Sequence, residues 1–293
     1  MARQIKKLKN IIIPNPKKLE KTIKAFMQEG ADKIHILSGF DSTLTRTLVN
    51  GEKVNSLIAV LRNNKLLTPD YRDRADALFN KFYPIEHNPH ISFKEKKRAM
   101  HKWWILHFNL LIKAGFSKKD IAKTVKLAKT TLRAGGQRFF KLLGENKIPL
   151  IIMSASGLGR ESVKAYLKYG NNHTNNIHII SNSFIWNKNG RAIGYNKPII
   201  HSVNKDETLV KNFPAVMKKI KLRTNVVLMG DMLEDLHMIT GFNYDHLIKI
   251  GFLNENIKTK LPIFKKHFDV ILLNDAPMYF VNQLLKKITA KKL

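Results

Sequence analysis

Asp41 and Thr43 follow the apolar run Ile34-His35-Ile36-Leu37 and stand two residues apart. In extended backbone both side chains lean to one face, and position 39, which leans the same way, is glycine. Such a run reads as a buried parallel strand, whose carboxyl end is the usual place for a ligand in an open α/β sheet. An Asp-x-Thr there carries chemistry only if distant segments supply partners. Ser154 ends the run Leu150-Ile151-Ile152-Met153, Asp231 and Asp235 follow Val226-Val227-Leu228-Met229, and Lys205 lies in the stretch between them. Acid–base, anion-binding and cation-binding groups are thereby gathered on one expected sheet edge.

The spacing of apolar residues shows which elements position these groups. Residues 14–30 read as a helix, with Pro14 at its start, Leu19, Ile23, Phe26 and Met27 on one face, and Gly30 as a stop. Residues 47–131 then change to helical periodicity over 71–82, 93–114 and 118–132, with Ser117 as an N-cap and no strand expected among them. A helix over 137–146 follows the break at Gly135-Gly136. Further strands are expected over 149–153, 177–180, 226–229, 247–250 and 270–273, with a helix over 161–169. Residues 184–193 read as a hairpin turning at Asn189-Gly190. Strands separated by helices make a mostly parallel sheet with right-handed crossovers. The expected architecture is an α/β, Rossmann-like core from residues 1–46 and 132–293. An all-helical cap over 47–131 would close on the site and exclude water.

Composition narrows the function classes. At 44% hydrophobic residues the chain folds, and no apolar run is long enough to span a bilayer. Residues 1–9 lack a signal peptide's apolar centre, so a cytoplasmic location with no membrane partner is expected. Zero cysteines exclude disulfides, thiolate metal sites and a cysteine nucleophile. The net charge of +30 raises nucleic acid as a partner, yet the basic residues are spread through nearly every segment. No zinc-finger spacing, arginine-rich arm or aromatic RNA-binding motif accompanies them. A solvated basic surface is the better reading, and its field also suits small phosphorylated substrates. Oligomeric state is left open.

The ordered set strand–Asp-x-Thr, strand–Ser, Lys, strand–Gly-Asp-x-x-x-Asp resembles the haloacid-dehalogenase superfamily of phosphotransfer enzymes. More closely, the chain is similar to its pyrimidine 5′-nucleotidases. The residues that carry this are Phe40-Asp41-x-Thr43-Leu44-Thr45, Tyr83-Pro84-Ile85-Glu86-x-x-Pro89, Ser154-Ala155, Ile180-Ser181-Asn182, His201-x-x-Asn204-Lys205 and Leu247 to Asn254. The resemblance implies Mg²⁺-dependent hydrolysis of nucleoside 5′-monophosphates, or other small phosphate esters, through an aspartyl-phosphate. It implies Asp41 as acid/base, Ser154 and Lys205 on the phosphate oxygens, and Asp41, Asp231 and Asp235 around the metal. The amides from Ser156 to Gly159, at a helix start, would add an anion site beside Ala155. Glu86 matches the carboxylate that reads the base edge, and Trp104 and His107 fall where base contacts are made. Trp103 and the pair His87/His90 read instead as core packing and a surface turn, and His201 as a support for the Lys205 loop.

The departure from the pattern falls at the nucleophile, where Gly39 has no side chain. Attack by Asp41 instead would remove the proton donor and shift the phosphate by two residues of strand, about 6–7 Å. In-line attack does not tolerate that. Weak or absent turnover is therefore expected, whether the chain is a nucleotide-binding relative that has lost catalysis, carries a deliberate inactivating change, or uses bound water with Asp41 as base. Met232 and Glu234 stand where the family has small residues, and Ser156 is an extra residue in the second motif. The alternatives are a non-catalytic nucleotide or phosphate binder and, from another class, a basic nucleic-acid-associated protein.

Overall fold

The computed structural model describes residues 10–88, 90–205, 212–240 and 243–290. Pro89 of the cap motif and the signal-peptide reading of residues 1–9 lie outside them. The strands are β1 (Ile11–Ile12), β2 (Ile34–Ser38), β3 (Leu48–Val49), β4 (Glu52–Lys53), β5 (Leu150–Ser154), β6 (Ile177–Ser181), β7 (Phe184–Trp186), β8 (Ala192–Tyr195), β9 (Asn225–Gly230), β10 (His246–Leu253) and β11 (Val270–Leu273). The helices are α1 (Pro16–Glu29), α2 (Leu57–Asn63), α3 (Tyr71–His87), α4 (Phe93–Lys113), α5 (Lys118–Leu127), α6 (Gly136–Glu145), α7 (Arg160–Tyr169), α8 (Pro214–Ile220), α9 (Ile257–His267) and α10 (Tyr279–Ile288).

Seven strands form the main sheet in the order β1-β11-β10-β9-β2-β5-β6, parallel throughout except for β1 at the edge. The chain runs outward from β2 to β5 and β6 on one side, then returns to β9 and runs outward to β10 and β11 on the other. The strand order therefore reverses beside β2, which is where such sheets leave a crevice at their carboxyl ends. Central strands are apolar on both faces because helices cover both. Ile34, Ile36, Leu150 and Ile152 pack with α1, α6, α7 and α10, while Leu37, Ile151 and Met153 face α8. Phe264 of α9 covers β10 and β11 on that second side.

The segment over the crevice holds α2 to α5, but it is not all helical. Leu48 pairs with Lys53 and Val49 with Glu52 around Asn50 (φ 53°) and Gly51 (φ 82°). Two successive positive φ values are what an Asn-Gly hairpin turn supplies, so the local turn chemistry overrides the surrounding helical pattern. Helix α5 also stops at Leu127 instead of continuing to 132. Residues 131–133 are drawn into pairing with the outgoing strand instead, through the Thr45–Leu132 bridge, Arg46 N to Thr131 O (2.9 Å) and Arg133 N to Leu44 O (3.1 Å). Helix α3 runs on through Pro84 to His87. On the far side, Lys118 N donates to Gly190 O (2.9 Å) and Ala192 N to Phe116 O (2.8 Å), which ties the α4–α5 corner to the β7–β8 hairpin. No helix among the described residues is long and apolar enough to cross a membrane.

His35 sits inside β2 at 1% exposure, its Nδ1 2.6 Å from the Arg223 carbonyl oxygen. Burial lowers its pKa to about 4, with the Arg223 carbonyl opposing and the Arg223 charge adding to the fall. The unfolded chain thus binds a proton that the folded one refuses between about pH 6.5 and pH 4. Stability from this group is complete above that window and is lost as pH falls through it, by up to about 3 kcal/mol. Urea denaturation at pH 7 and pH 4.5 should show a smaller drop for His35→Gln than for the parent protein. Equal drops would show that His35 does not resist protonation.

Candidate active site

The carboxyl ends of β2, β5 and β9 open onto one cavity of about 370 Å³, lined by Gly39, Asp41, Ser154, Ala155, Ser156, Lys205, Asp231 and Asp235 from the core. Glu86, Trp104 and His107 line the same cavity from α3 and α4. The volume lies in the range of small-molecule sites. All the residues singled out in the sequence as catalytic, metal-binding or substrate-binding therefore share one space.

Position 39 is fixed in the sheet by its amide, which donates to Met229 O (3.0 Å). A side chain here would bring its Cβ to 2.8 Å from the Thr43 hydroxyl, with Thr43 Cβ at 3.4 Å and Asp235 Oδ2 at 3.7 Å. That hydroxyl is engaged, donating to Asp231 Oδ1 (3.0 Å). After β9, the backbone turns so tightly that a Cβ on Gly230 would collide with the Asp235 side chain. The close approach lets the Asp231 and Met232 amides donate to Asp235 Oδ2 (3.0 and 3.3 Å). Asp235 Oδ1 accepts from Lys205 Nζ (3.0 Å). Both Asp235 oxygens are thus committed to protein donors, so this carboxylate orients Lys205 and is not presented as a direct metal ligand.

The charges set one another's proton affinity. Burial pushes Asp231 up to about 7, Asp235 beside it adds to the rise, and Lys205, the Thr43 hydroxyl and Arg133 hold it down. Asp41 is exposed to the cavity, and the protein crowded around that cavity partly desolvates it. That desolvation raises its pKa against the pull of Lys205. Burial works to lower Lys205, but Asp235, helped by Asp231 and Asp41, holds it above the ordinary lysine value. Negative charge is in excess here. Hard oxygen donors around an uncompensated buried carboxylate fit a small divalent cation. Among the described residues, however, no three or more His, Cys, Asp or Glu are grouped as a metal site, and position 39 contributes no carboxylate.

Loops are pinned from beneath. The Asn182 side chain donates to Ile200 O (2.8 Å) and accepts from Ile200 N (2.8 Å), and Asn204 accepts from His201 N (2.7 Å) and donates to Ile199 O (2.8 Å). This holds the segment that carries Lys205. The Ser156 hydroxyl is shared with Ser162 (3.0 Å) and accepts from Leu158 N (3.3 Å), so it closes the first turn of α7. His107 donates from Nε2 to Gly157 O (3.0 Å), and burial lowers its pKa to about 4. It remains neutral and joins α4 to the loop between β5 and α7, so that nitrogen is already committed.

Several lining residues were given no site role by the sequence. Tyr71, Ala75, Phe79 and Tyr83 of α3 line the cavity ahead of Glu86, following a spacing of four and then three. That periodicity was visible but reads equally well as core. Phe79 stacks on Tyr83 at 4.6 Å, and Trp103 stands edge-on to Trp104 at 5.1 Å, so the far end of the cavity has aromatic walls. The buried Tyr71 hydroxyl, Trp104 Nε1 and Ser202 hydroxyl find no partner among the described residues, leaving donors on cavity-lining side chains. Arg133 is the other omission. At 1% exposure it donates to the carbonyls of Ser42, Thr43 (2.7 Å) and Ala276 (2.9 Å), and to Asn254 (2.9 Å), with Asp275 at 3.0 Å.

The family model described as pyrimidine 5′-nucleotidase (UMPH-1) matches residues 42–289. The chain belongs to the pyrimidine 5′-nucleotidase family. Among members of this 5′-nucleotidase family it is similar to the 7-methylguanosine phosphate-specific 5′-nucleotidase of Homo sapiens, 32% identical over 98% of this chain and 96% of that protein. The crystal structure of cytosolic 5′-nucleotidase IIIB bound to cytidine superposes with a TM-score of 0.85, at 27% identity over 96% of this chain and 94% of that one. A haloacid-dehalogenase-family hydrolase from Salmonella enterica shares the fold, with a TM-score of 0.52 at 14% identity over 91% of this chain and 74% of that one. The 5′-nucleotidase core is thus of the haloacid-dehalogenase type, an α/β fold with a mostly parallel sheet.

Arg133→Met removes a buried cation from Asp275 and from three backbone carbonyls at once. Breaking a buried pair from one side costs about 3–5 kcal/mol. Chemical denaturation should register a loss of that order. An unchanged midpoint would show that the guanidinium does not hold the turn.

Proposed function

We propose that the protein binds nucleoside 5′-monophosphates with Mg²⁺ and hydrolyses them slowly at most, because the attacking carboxylate is missing at Gly39. The observation that carries this is the shared cavity. Asp41, Ser154, Lys205 and Asp231 line one end of it, aromatic side chains with Glu86 line the other, and the strand end bears no side chain at 39. Asp231 and the Asp41 backbone carbonyl would hold Mg²⁺, which when bound offsets the phosphate's charge. Ser154 would donate to a phosphate oxygen. Lys205, held by Asp235, would neutralise charge on the equatorial oxygens. Asp41, whose pKa desolvation raises, would give a proton to the departing 5′ oxygen.

The base end favours an electron-poor ring. N7-methylation gives guanine a positive charge, which aromatic faces and the Glu86 carboxylate both attract. The family relative named for 7-methylguanosine phosphate and the related structure holding cytidine support a nucleoside there. A non-catalytic nucleotide binder is the second reading, favoured by the same missing carboxylate.

Calorimetry with Mg²⁺ should show binding of 7-methylguanosine monophosphate and CMP with little phosphate released. Gly39→Asp should raise phosphate release at least about a hundredfold. The full 10⁴–10⁶ or so expected for restoring a nucleophile is blunted, since the Thr43 hydroxyl must give way. Full turnover by the unmodified chain would refute the reading. Glu86→Ala should weaken nucleotide binding about 10–100-fold while inorganic phosphate binding stays within about twofold. Equal losses for both ligands would show that Glu86 reads no base.

A further inference from the structure

Arg133, which holds the turn after β2, also lines an open groove of about 580 Å³ that shares no lining residue with the cavity at the strand ends. One wall comes from residues 125–138, at the end of α5 and the return to α6, and the other from residues 166–172, at the end of α7. Basic residues are spread along the whole sequence, but carboxylates are not. Neither 121–138 nor 162–176 contains a single Asp or Glu.

Lys123, Lys126 and Lys129 are exposed on the first stretch, and Lys164 and Lys168 on the second. Among the described residues none of these five ammonium groups pairs with a carboxylate. The carboxylates that α5, α6 and α7 do carry are engaged elsewhere. Asp120 accepts from the amide and hydroxyl of Ser117 (2.9 and 2.6 Å), Glu145 lies 3.6 Å from Arg138, and Glu161 lies 3.8 Å from Arg160. The field reaches His173, whose pKa burial lowers and Lys164 and Lys168 lower further.

Between these cations the groove offers aromatic surface. The Tyr166 hydroxyl donates to Thr130 O (3.0 Å), which fixes that ring in the wall. Tyr169 is 66% exposed, a large ring with most of its surface open to solvent. Uncompensated ammonium groups beside an open ring are what a single-stranded polynucleotide needs, since the cations meet its phosphates and the ring takes an unpaired base. A duplex keeps its base faces stacked inside, and an anionic lipid surface has no planar ring to stack. We propose that this groove binds single-stranded nucleic acid, with phosphates against Lys126, Lys129 and Lys168 and a base stacked on Tyr169. No residue of the nucleotide cavity takes part, so this binding stands whether or not a mononucleotide occupies that cavity.

The test is fluorescence anisotropy of the full chain with a labelled oligouridine of about twelve nucleotides, in KCl from about 50 to about 300 mM. Neutralising about four phosphates gives a slope of log K against log salt of about −3. The double variant Lys126→Glu/Lys168→Glu should weaken binding at least about tenfold. Lys17→Glu/Lys21→Glu on α1, an equal charge change on another exposed helix, should cost about twofold at most. Tyr169→Ala should cost about tenfold, and Tyr169→Phe, which keeps the ring, about twofold at most. Equal losses from the two double variants would make the groove no more than a share of a general basic surface and would overturn the inference. Unchanged binding by Tyr169→Ala would do the same. So would displacement of the oligonucleotide by CMP, which would seat it in the nucleotide cavity, or phosphatidylserine vesicles that compete as well as unlabelled oligouridine.

Discussion

A buried guanidinium holds the turn after β2 in place. Arg133 lies where the chain returns from the segment over the crevice, and it reaches across to the carbonyls of Ser42 and Thr43, just beyond Asp41. Ser42 is in the left-handed region (φ 56°), a conformation that an L residue keeps only when its surroundings enforce it. Asn254 adds a second donor to the Ser42 carbonyl (2.9 Å), and Phe252 lies under the guanidinium at 4.3 Å. Asp275 completes the clamp. It pairs with Arg133 and with Arg46, and accepts from the Thr47 and Leu48 amides. Both ends of the segment over the crevice are therefore tied to the turn that carries Asp41 and Thr43. Burial lowers the Arg133 pKa to about 10, with Asp275 opposing, so the clamp stays charged at neutral pH.

From that turn the electrostatics follow. Thr43 reaches Asp231, Asp231 lies beside Asp235, and Asp235 holds Lys205. The network presents one cation against an excess of buried carboxylate, an arrangement that binding a divalent ion with a phosphate would balance. Under the proposed function, Gly39 leaves that arrangement standing while removing the attacking carboxylate. A site can thus keep its affinity for a phosphate ester and lose the covalent step, since positioning and charge stabilisation come from other residues.

Much of this was legible in sequence because strand ends are local. Apolar runs followed by Asp-x-Thr, Ser or Gly-Asp placed the main strands to within a few residues, and those strand ends converge on one cavity. What sequence concealed was mostly long-range. Arg133 sits at the end of a stretch with helical periodicity, and nothing nearby reveals that its partners lie at 42, 43, 254, 275 and 276. Asp235 looks like a metal ligand until the tight turn at Gly230 shows both its oxygens taken. Tyr71, Phe79 and Tyr83 lie on one face of α3 as core residues do, and only the cavity shows what that face borders. The Asn50-Gly51 turn was readable locally, and the helical pattern around it masked the hairpin.

The most direct test of the central claim is a crystal structure of the unmodified protein grown with CMP or 7-methylguanosine monophosphate and Mg²⁺. The account predicts an intact nucleotide, its phosphate within hydrogen-bond reach of Ser154 and Lys205 and its base between the aromatic walls near Glu86. Free phosphate and nucleoside in the cavity, or a nucleotide bound elsewhere on the molecule, would contradict it.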